Sequence, residues 1–232
     1  MKTMKNKVLV VAAHPDDEVL GCGATIAKYI HDGDEVHVVI LAEGLTARDA
    51  TRDRAVREDE LSELTQMAHK AHAILGSNSL VLHNFPDNRM DSIDRLDVTK
   101  VVESFVKKYE PNIIYTHHAG DVNIDHRRVH EAVVTACRPM QDCPVRTILF
   151  FEIASSTEWQ PSGSAPYFMP NWFVDVTSTL SLKIQALHAY APEMREFPHP
   201  RSFKGLEVLA QWRGAMVGMH AAEAFMLGRC LK

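Results

Sequence analysis

The chain has 232 residues, of which 46% are hydrophobic and 24% charged, a composition typical of a globular protein with a substantial core. Its formal net charge of −5 at pH 7 argues against a nucleic acid or another polyanion as partner. No apolar run approaches the roughly 20 residues that cross a bilayer, and the first one, Val8–Ala13, is too short for a secretion signal. We therefore expect a single cytoplasmic domain over residues 1–232, with no membrane span.

Short apolar runs alternate with helical patterns along most of the chain. In chain order, the sequence predicts a strand at Lys7–Ala12, a helix at Val19–His31, a strand at Glu35–Leu41, a helix at Arg54–Leu75, strands at Leu80–Leu82 and Asn112–Tyr115 separated by a helix at Val98–Tyr109, a helix at His126–Cys137, a strand at Arg146–Phe151, and helices at Thr179–Tyr190 and Phe203–Met216. Continuously apolar strands are typical of sheets covered on both faces. The alternation predicts a single-domain, Rossmann-like α/β fold with a mostly parallel sheet and helices on both faces.

Several boundaries of these elements have local signals. Gly76 is a stop signal for the second helix, and Pro111 follows the end of the third. Asp125 is a good N-cap for the helix that begins at His126. The segment Trp159–Pro170, which contains three prolines, is expected to be a long surface loop. The four cysteines, Cys22, Cys137, Cys143 and Cys230, form no Cys-x-x-Cys pair and are expected to be reduced and structural.

Two polar clusters follow predicted strands at the point where each strand ends. The first is His14–Glu18, after the first strand, and the second is His117–His126, after the fourth. Ligands bind at the carboxyl ends of strands in open α/β sheets, so the fold would bring the two clusters together. They are the strongest functional signal in the chain.

The residue types in these clusters suit a catalytic divalent metal. Neighbouring carboxylates repel one another and are costly to bury unless a cation or partner neutralises them. His14 and Asp17, with His126 from the second cluster, supply two imidazoles and one carboxylate, which leaves an open position as in catalytic zinc sites. Taken alone, the first cluster could instead be an acidic first turn of a helix, favoured by the helix dipole.

The motifs that carry a family resemblance are Ala13–Glu18 (Ala-His-Pro-Asp-Asp-Glu) followed by Leu20–Gly23, and Asp125-His126-Arg127 with His130. They resemble the signatures of the PIG-L-type (LmbE-like) zinc-dependent de-N-acetylases. Phe85–Arg89 resembles a third, weaker motif, and Ala222–Phe225 is similar to the closing helix of the family. The resemblance implies hydrolysis of an N-acetyl group on an N-acetylglucosamine-like sugar or sugar conjugate, and makes a homo-oligomer plausible.

Residue by residue, the resemblance implies Zn²⁺ held by His14, Asp17 and His126, with Asp16 as general base. Many members carry a histidine where this chain has Asn123, and a role as acid or oxyanion partner does not transfer directly. We consider His118 and Asn123 as substitutes. Two further residues stay open: Asp125 could orient a metal ligand, and His130, one helical turn after His126, is the spare ligand candidate.

Substrate-binding residues are predicted on less specific grounds. Arg57 with Glu60 resembles an Arg-x-x-Glu element that can meet substrate, although a surface ion pair explains it equally well. Ser155, Ser156 and Trp159 follow the fifth strand and suit the hydroxyls and the ring face of a sugar. The segment 198–202 is a second candidate for the rim of the site.

Two rival functions remain on the sequence alone. One is a zinc amidohydrolase that acts on a non-sugar amide. The other is a non-catalytic, nucleotide-binding Rossmann module, suggested by Leu20–Ala24. No Gly-x-Gly-x-x-Gly follows the first strand, however, and acidic residues there would repel phosphate.

Overall fold

A computed structural model of the protein describes residues 5–232 and contains one seven-stranded sheet. The strands are β1 (Lys7–Ala12), β2 (Glu35–Ala42), β3 (Ser79–Phe85), β4 (Ile113–His117), β5 (Thr147–Phe151), β6 (Trp172–Asp175) and β7 (Ala222–Cys230). Their order in the sheet is β3-β2-β1-β4-β5-β7-β6. The first five are parallel, and β7 runs antiparallel between β5 and β6. The predicted mostly parallel α/β sheet is confirmed.

Within the described residues, six α-helices cover the two faces of the sheet. They are α1 (Asp17–His31), α2 (Glu58–Leu75), α3 (Arg95–Tyr109), α4 (Ile124–Ala136), α5 (Leu180–Ala189) and α6 (Phe203–Ala215). On the central strand β1, Val8 and Val10 pack towards α1, α2 and α5, whereas Leu9 and Val11 pack towards α3 and α4. Because both faces are covered, β1 is buried almost throughout, which explains its continuously apolar sequence. No helix within residues 5–232 combines the length and apolar content of a membrane crossing.

The N-terminus of α4 differs from the sequence prediction in a way that matters for the site. Its N-cap is Asn123, whose side-chain oxygen accepts the backbone N–H of Asp125 at 2.8 Å. The helix therefore starts at Ile124, earlier than predicted, and the prediction of Asp125 as the cap is wrong. An asparagine caps as well as an aspartate does, so composition alone could not choose between the two positions. The Asp125 carboxylate is left free for other partners.

The C-terminal segment also differs from expectation. Ala222–Phe225, predicted from the resemblance to belong to a closing helix, lies in strand β7. This strand pairs with β5 on one side and β6 on the other, so its backbone hydrogen bonds are satisfied by the sheet. The expectation of a helix is wrong because the segment completes the sheet between two strands.

Helix α1 is broken at Cys22, where the backbone leaves helical geometry (φ −150°, ψ 23°). Glu223 of β7 accepts the N–H groups of Ala24 and Thr25 at 3.2 and 2.7 Å, as a cap does at a helix start. Lys183 of α5 donates to the Leu20 carbonyl at 2.7 Å and to Glu223 at 2.6 Å. This buried ion pair satisfies the backbone groups that the break leaves without helical partners.

The carboxyl ends of β1 and β4 lie side by side at one edge of the sheet. The backbone N–H of Ala13, just after β1, donates to Nε2 of His117 at the end of β4, over 2.8 Å. The two polar clusters of the sequence therefore meet in space, as the topology predicts.

Candidate active site

A cavity of about 510 Å³ opens at this edge of the sheet. Its floor is formed by residues of the two polar clusters. Its walls come from loops that follow β2, β3 and β5, and from Glu193 and Arg201. The lining residues include His14, Asp16, Asp17, Arg48, Asp87, Asn123, His126, Ser155, Ser156, Trp159, Glu193 and Arg201. A volume of this size is typical of a small-molecule site.

Three side chains on the floor converge on one point. Nδ1 of His14 lies 3.2 Å and Nε2 of His126 lies 3.1 Å from the same oxygen, Oδ2 of Asp17. The candidate ligand atoms of all three residues lie within 4.8 Å of one another. Two imidazoles and one carboxylate at such distances form a donor set that suits a divalent zinc-like ion with an open coordination position. The three residues predicted as metal ligands are thus brought together.

For each of the two histidines, a carboxylate lies close to the ring nitrogen that does not face Asp17. Nε2 of His14 lies 2.9 Å from Oδ2 of Asp125, and Nδ1 of His126 lies 3.2 Å from Oδ1 of Asp121. A carboxylate on the far nitrogen fixes the orientation and tautomer of a ligand imidazole. Asp125 is therefore placed to orient a candidate metal ligand, as the sequence suggested. That ligand is His14 rather than the adjacent His126.

A second group of possible ligands, His14, Asp87 and Asp125, lies next to the first. The oxygens of Asp125 already accept backbone N–H groups of Asn88 and Met90 at 2.6 and 2.9 Å. Asp87 accepts from the backbone of Ala47 at 3.0 Å. Since these carboxylates are satisfied by the protein, we interpret them as supports of His14 rather than as a separate metal site.

The charges on the floor shift the protonation of the three candidate ligands. Burial lowers the pKa of His126, but Asp17 and Asp121 outweigh burial and raise it to about 9. Burial likewise opposes the charged form of Asp17, yet the neighbouring imidazoles hold the pKa of Asp17 well below its usual value. The same negative field that favours protons on these imidazoles favours a metal cation, which competes with protons for the same atoms.

Asp16 stands beside this group in an unusual backbone conformation. Its φ of 106° lies in the left-handed region, and its N–H donates to Oε2 of Glu18 at 3.1 Å. Oδ2 of Asp16 accepts a hydrogen bond from Nη1 of Arg201 at 2.9 Å. Burial raises the pKa of Asp16 to about 8, although the charge of Arg201 acts in the opposite direction. Strained backbone of this kind is retained where surrounding contacts enforce it, and it often marks functional sites.

Glu18 connects Asp16 to the interior. It is fully buried, and its Oε1 accepts hydrogen bonds from the hydroxyl of Tyr190 at 3.0 Å and Nε2 of His72 at 3.2 Å. The Glu18 side chain therefore faces away from the cavity and holds the Asp16 backbone in place. Its hydrogen bonds explain why three consecutive acids are tolerated after β1.

The other predicted polar residues occupy different places. Asn123 lines the cavity, but its oxygen is used as the α4 cap. His118 is buried beneath the long loop, where Nε2 donates to the Pro166 carbonyl at 2.9 Å, and it does not line the cavity. Nδ1 of His130 donates to the His117 carbonyl at 2.9 Å, and the ring packs against Phe150. Neither of these two histidines belongs to the group of candidate ligands formed by His14, Asp17 and His126.

The segment after β5 forms one wall of the cavity. Ser155, Ser156 and Trp159 all line it. The hydroxyl of Ser156 donates to Asp121, and that of Ser155 accepts from Nε of Arg201 at 3.1 Å. The indole of Trp159 is about half exposed and contacts His199 edge-on. The two serines thus hold charged residues of the site, while the indole face remains accessible.

Arg57 lies outside the cavity lining. Its guanidinium donates to both oxygens of Asp49, at 2.8 and 2.7 Å, and to Glu60. The Arg57–Glu60 ion pair that the sequence reasoning considered is present. Its side chain would have to leave these partners to reach a substrate in the cavity.

Three charged residues of the site were not identified from sequence as such. Asp121 lies within the second polar cluster but has no role assigned from sequence, Arg201 is predicted only as part of the 198–202 segment, and Glu193 is not predicted at all. Arg201 lies 185 residues from its partner Asp16 in sequence, and no local pattern reports a pairing over that separation. The signal that could have found Asp121 is its spacing, because it precedes His126 within one polar cluster.

Several known proteins are similar to this chain over most of their length. The uncharacterized deacetylase YaiS of Escherichia coli (strain K12) is 29% identical over 186 residues, covering 78% of this chain and 88% of that protein. Diacetylchitobiose deacetylase of Thermococcus kodakarensis is 27% identical over 231 residues, covering 94% and 81%. In the solved structures, N,N'-diacetylchitobiose deacetylase from Pyrococcus horikoshii has the same fold, with a TM-score of 0.76 at 20% identity, covering 97% of this chain and 85% of that one.

A family model described as PIG-L, GlcNAc-PI de-N-acetylase, matches residues 9–137. That region is more than half of the chain and contains both polar clusters, from His14 to His126. The relatives named above are deacetylases, in agreement with the function that the motifs predict. The family resemblance is confirmed, and the chain belongs to the PIG-L family of de-N-acetylases.

Proposed function

We propose that the protein is a zinc-dependent N-deacetylase that hydrolyses the acetamide of an N-acetylated amino sugar or sugar conjugate. The observation that carries the proposal is the convergence of His14, Asp17 and His126 on one point of the cavity floor, with Asp16 beside them. Membership of a metal-dependent deacetylase family supports the same reading.

The donor set fits a divalent ion. Two imidazoles and a carboxylate lie within 4.8 Å, neighbouring carboxylates outweigh burial and raise the pKa of both imidazoles, and carboxylates on the far nitrogens hold both rings. An ion bound there would supply Lewis acidity, which lowers the pKa of water from 15.7 to about 7 in favourable cases and polarises a carbonyl. His14, Asp17 and His126 would hold it.

Asp16 is the proposed general base. Its carboxylate lines the cavity next to Asp17, and the left-handed backbone turns it towards the floor while Glu18 holds its N–H. It accepts a proton from the attacking water as the C–O bond forms at the acetyl carbon. Arg201, 2.9 Å away, favours the ionised carboxylate and so opposes the effect of burial on Asp16.

The same carboxyl group then acts as the acid. The amine is a poor leaving group unless its nitrogen gains a proton, and protonated Asp16 can return the one it accepted as the C–N bond breaks. Acetic acid and the amine leave together and ionise to acetate and an ammonium group, and Asp16 returns to its carboxylate form. Asn123 lines the cavity close to these groups and could contact the reacting acetamide, because capping occupies only its side-chain oxygen.

The proposed substrate class comes from the relatives and the shape of the cavity. The chitobiose deacetylases act on an N-acetylated sugar, as their names state. In this chain the volume of about 510 Å³ and the half-exposed indole of Trp159 suit a sugar ring with a substituent. Ser155 and Ser156 complete that wall, although their hydroxyls are partly committed to Arg201 and Asp121.

The test is acetate release by the zinc-loaded protein from N-acetylglucosamine, its glycosides and N,N'-diacetylchitobiose, followed by an enzyme-coupled acetate assay. Simple acetamides without a sugar serve as the comparison. Release from the simple amides alone would support the alternative, a zinc amidohydrolase for a non-sugar amide. No release from any of them, with zinc bound, would contradict the proposed chemistry.

A further inference from the structure

An ion pair crosses the outer part of the cavity. Arg48 lies on the short helical turn after β2, and Glu193 on the turn after α5, and both line the cavity. Nη2 of Arg48 lies 3.0 and 2.8 Å from the two carboxylate oxygens of Glu193. The Glu193 side chain is 16% exposed, against 52% for Arg48, so the carboxylate is the more enclosed partner.

The cavity has no spare positive side chain among residues 5–232. Arg48 and Arg201 are the lysine or arginine residues that line it, and both are engaged: Arg48 by Glu193, and Arg201 by Asp16 and Ser155. The lining also holds four carboxyl groups, on Asp16, Asp17, Asp87 and Glu193, against these two guanidinium groups.

An anionic substituent on the substrate would therefore meet an unfavourable rim. Nη2 of Arg48 is committed to Glu193, so an anion would have to use Nε or Nη1 of Arg48 and would then lie close to the enclosed Glu193 carboxylate. Like charges in close proximity at an interface are strongly disfavoured. A neutral, hydroxyl-rich substituent meets no such penalty.

We propose that the Arg48–Glu193 pair makes this site selective for neutral N-acetylated glycosides over N-acetylated sugars that carry a phosphate or carboxylate. The inference rests on the proposed function and narrows its substrate class. Glu193 is the specificity-determining residue, because its charge both occupies Arg48 and repels an anion.

The matched probes are methyl N-acetylglucosaminide and N-acetylglucosamine 1-phosphate, which differ mainly in charge at one end of the sugar. For the wild-type protein we expect kcat/KM for acetate release to be at least about tenfold higher with the methyl glycoside, the size of effect that one close like charge produces at a partly exposed site. Raising the ionic strength should bring the kcat/KM values of the two probes closer together, since salt screens exposed charges.

Glu193→Gln should reduce the preference for the methyl glycoside over the 1-phosphate by about tenfold. The change should come chiefly from a lower KM for the phosphate, because Arg48 becomes free to bind it. The double variant R48Q/E193Q should lose that gain. Glu103→Gln is the control: Glu103 pairs with Lys100 on the surface of α3, so it removes the same charge without touching the cavity. The ratio of kcat/KM for the methyl glycoside to kcat/KM for the phosphate should be the same in Glu103→Gln as in the wild type.

Calorimetric binding of the two probes to the zinc-loaded proteins separates this inference from the proposed function. Preferential binding of the methyl glycoside, shifted by Glu193→Gln, supports the inference even if no acetate is released, and the chemistry alone would then be wrong. Acetate release with equal kcat/KM for both probes, or with a preference for the phosphate, would overturn the inference while leaving the chemistry intact. An unchanged ratio in Glu193→Gln would overturn the role of the ion pair.

Discussion

Two groups of buried charges lie along α1, and they are built differently. At the break of the helix, Lys183 and Glu223 face each other, and each also bonds backbone groups of the broken turn. At the start of the helix, Asp17 and the two imidazoles of His14 and His126 face a common point at the floor of a cavity. Lys183, Glu223, Asp17 and His126 are buried, and the side chain of His14 is only 13% exposed.

The difference separates charge that serves the fold from charge that we propose to serve function. The pair at the break is closed: it neutralises itself and fills the hydrogen-bonding needs of its surroundings, so nothing is left for a ligand. The group at the start is open, because its atoms converge on one another and supporting carboxylates aim its imidazoles inward. A buried charge indicates a binding site when its partners leave one shared position, and indicates architecture when they do not. The following predictions test that distinction, from the largest expected effect to the smallest.

His126→Ala should remove the metal almost completely. The variant loses one of the ligands proposed for the ion, and a three-residue site tolerates such a loss poorly. Zinc per chain after loading and dialysis, measured by elemental analysis, should approach zero. His130→Ala is the matched control: that side chain bonds the His117 carbonyl and should leave zinc content unchanged. Full occupancy in His126→Ala would contradict the ligand assignment.

Asp16→Asn should keep the metal and lose most of the activity. The amide cannot accept a proton from water, whereas the proposed ligands are untouched, and loss of a general base typically lowers turnover by roughly 10²–10⁴-fold. Zinc content and kcat on one N-acetylated sugar, measured on the same preparation, check both parts. Near-normal turnover with zinc bound would require a different base.

Lys183→Met should weaken the fold without emptying the site. It leaves Glu223 charged, buried and without its cation, which costs roughly 3–5 kcal/mol of unfolding free energy. Urea unfolding measures this loss, and zinc stoichiometry of the folded variant should stay that of the wild type. Lys100→Met, from an exposed pair on α3, should change stability by less than about 1 kcal/mol. Equal losses in the two variants would show that burial does not distinguish the pairs.

Trp159→Ala should raise KM by about 2- to 12-fold with little change in kcat, since an aromatic contact with a sugar face contributes roughly 0.5–1.5 kcal/mol beyond area burial and is not made specifically in the transition state. Trp212→Ala provides the comparison, because Trp212 is 63% exposed on α6 and does not line the cavity. If both variants keep the wild-type KM, the wall after β5 does not bind the sugar.

The sequence predicted the parts of this site that are local in the chain. His14, Asp16 and Asp17 lie on one turn after a strand, and His126 lies in the first turn of the helix after another strand, so pattern and topology together predicted that they lie close to one another. The charges that complete the site come from distant loops: Arg201 and Glu193 acquire their roles only through contact with Asp16 and Arg48. The fold was predictable for the parallel strands, whereas β7 was not, because antiparallel pairing at the far side of the sheet has no local signature in Ala222–Phe225.

The separation of the two halves of the site in sequence has a consequence for refolding. His14 and Asp125 are 111 residues apart and meet only when β1 has paired with β4. Bringing such distant segments together carries a loop-closure cost that must be met before their contacts form. An ion that needs His126 as well as His14 and Asp17 therefore cannot complete its ligand set in the first steps of folding. A spectroscopically active substitute such as cobalt would instead report the moment when the centre of the sheet has assembled.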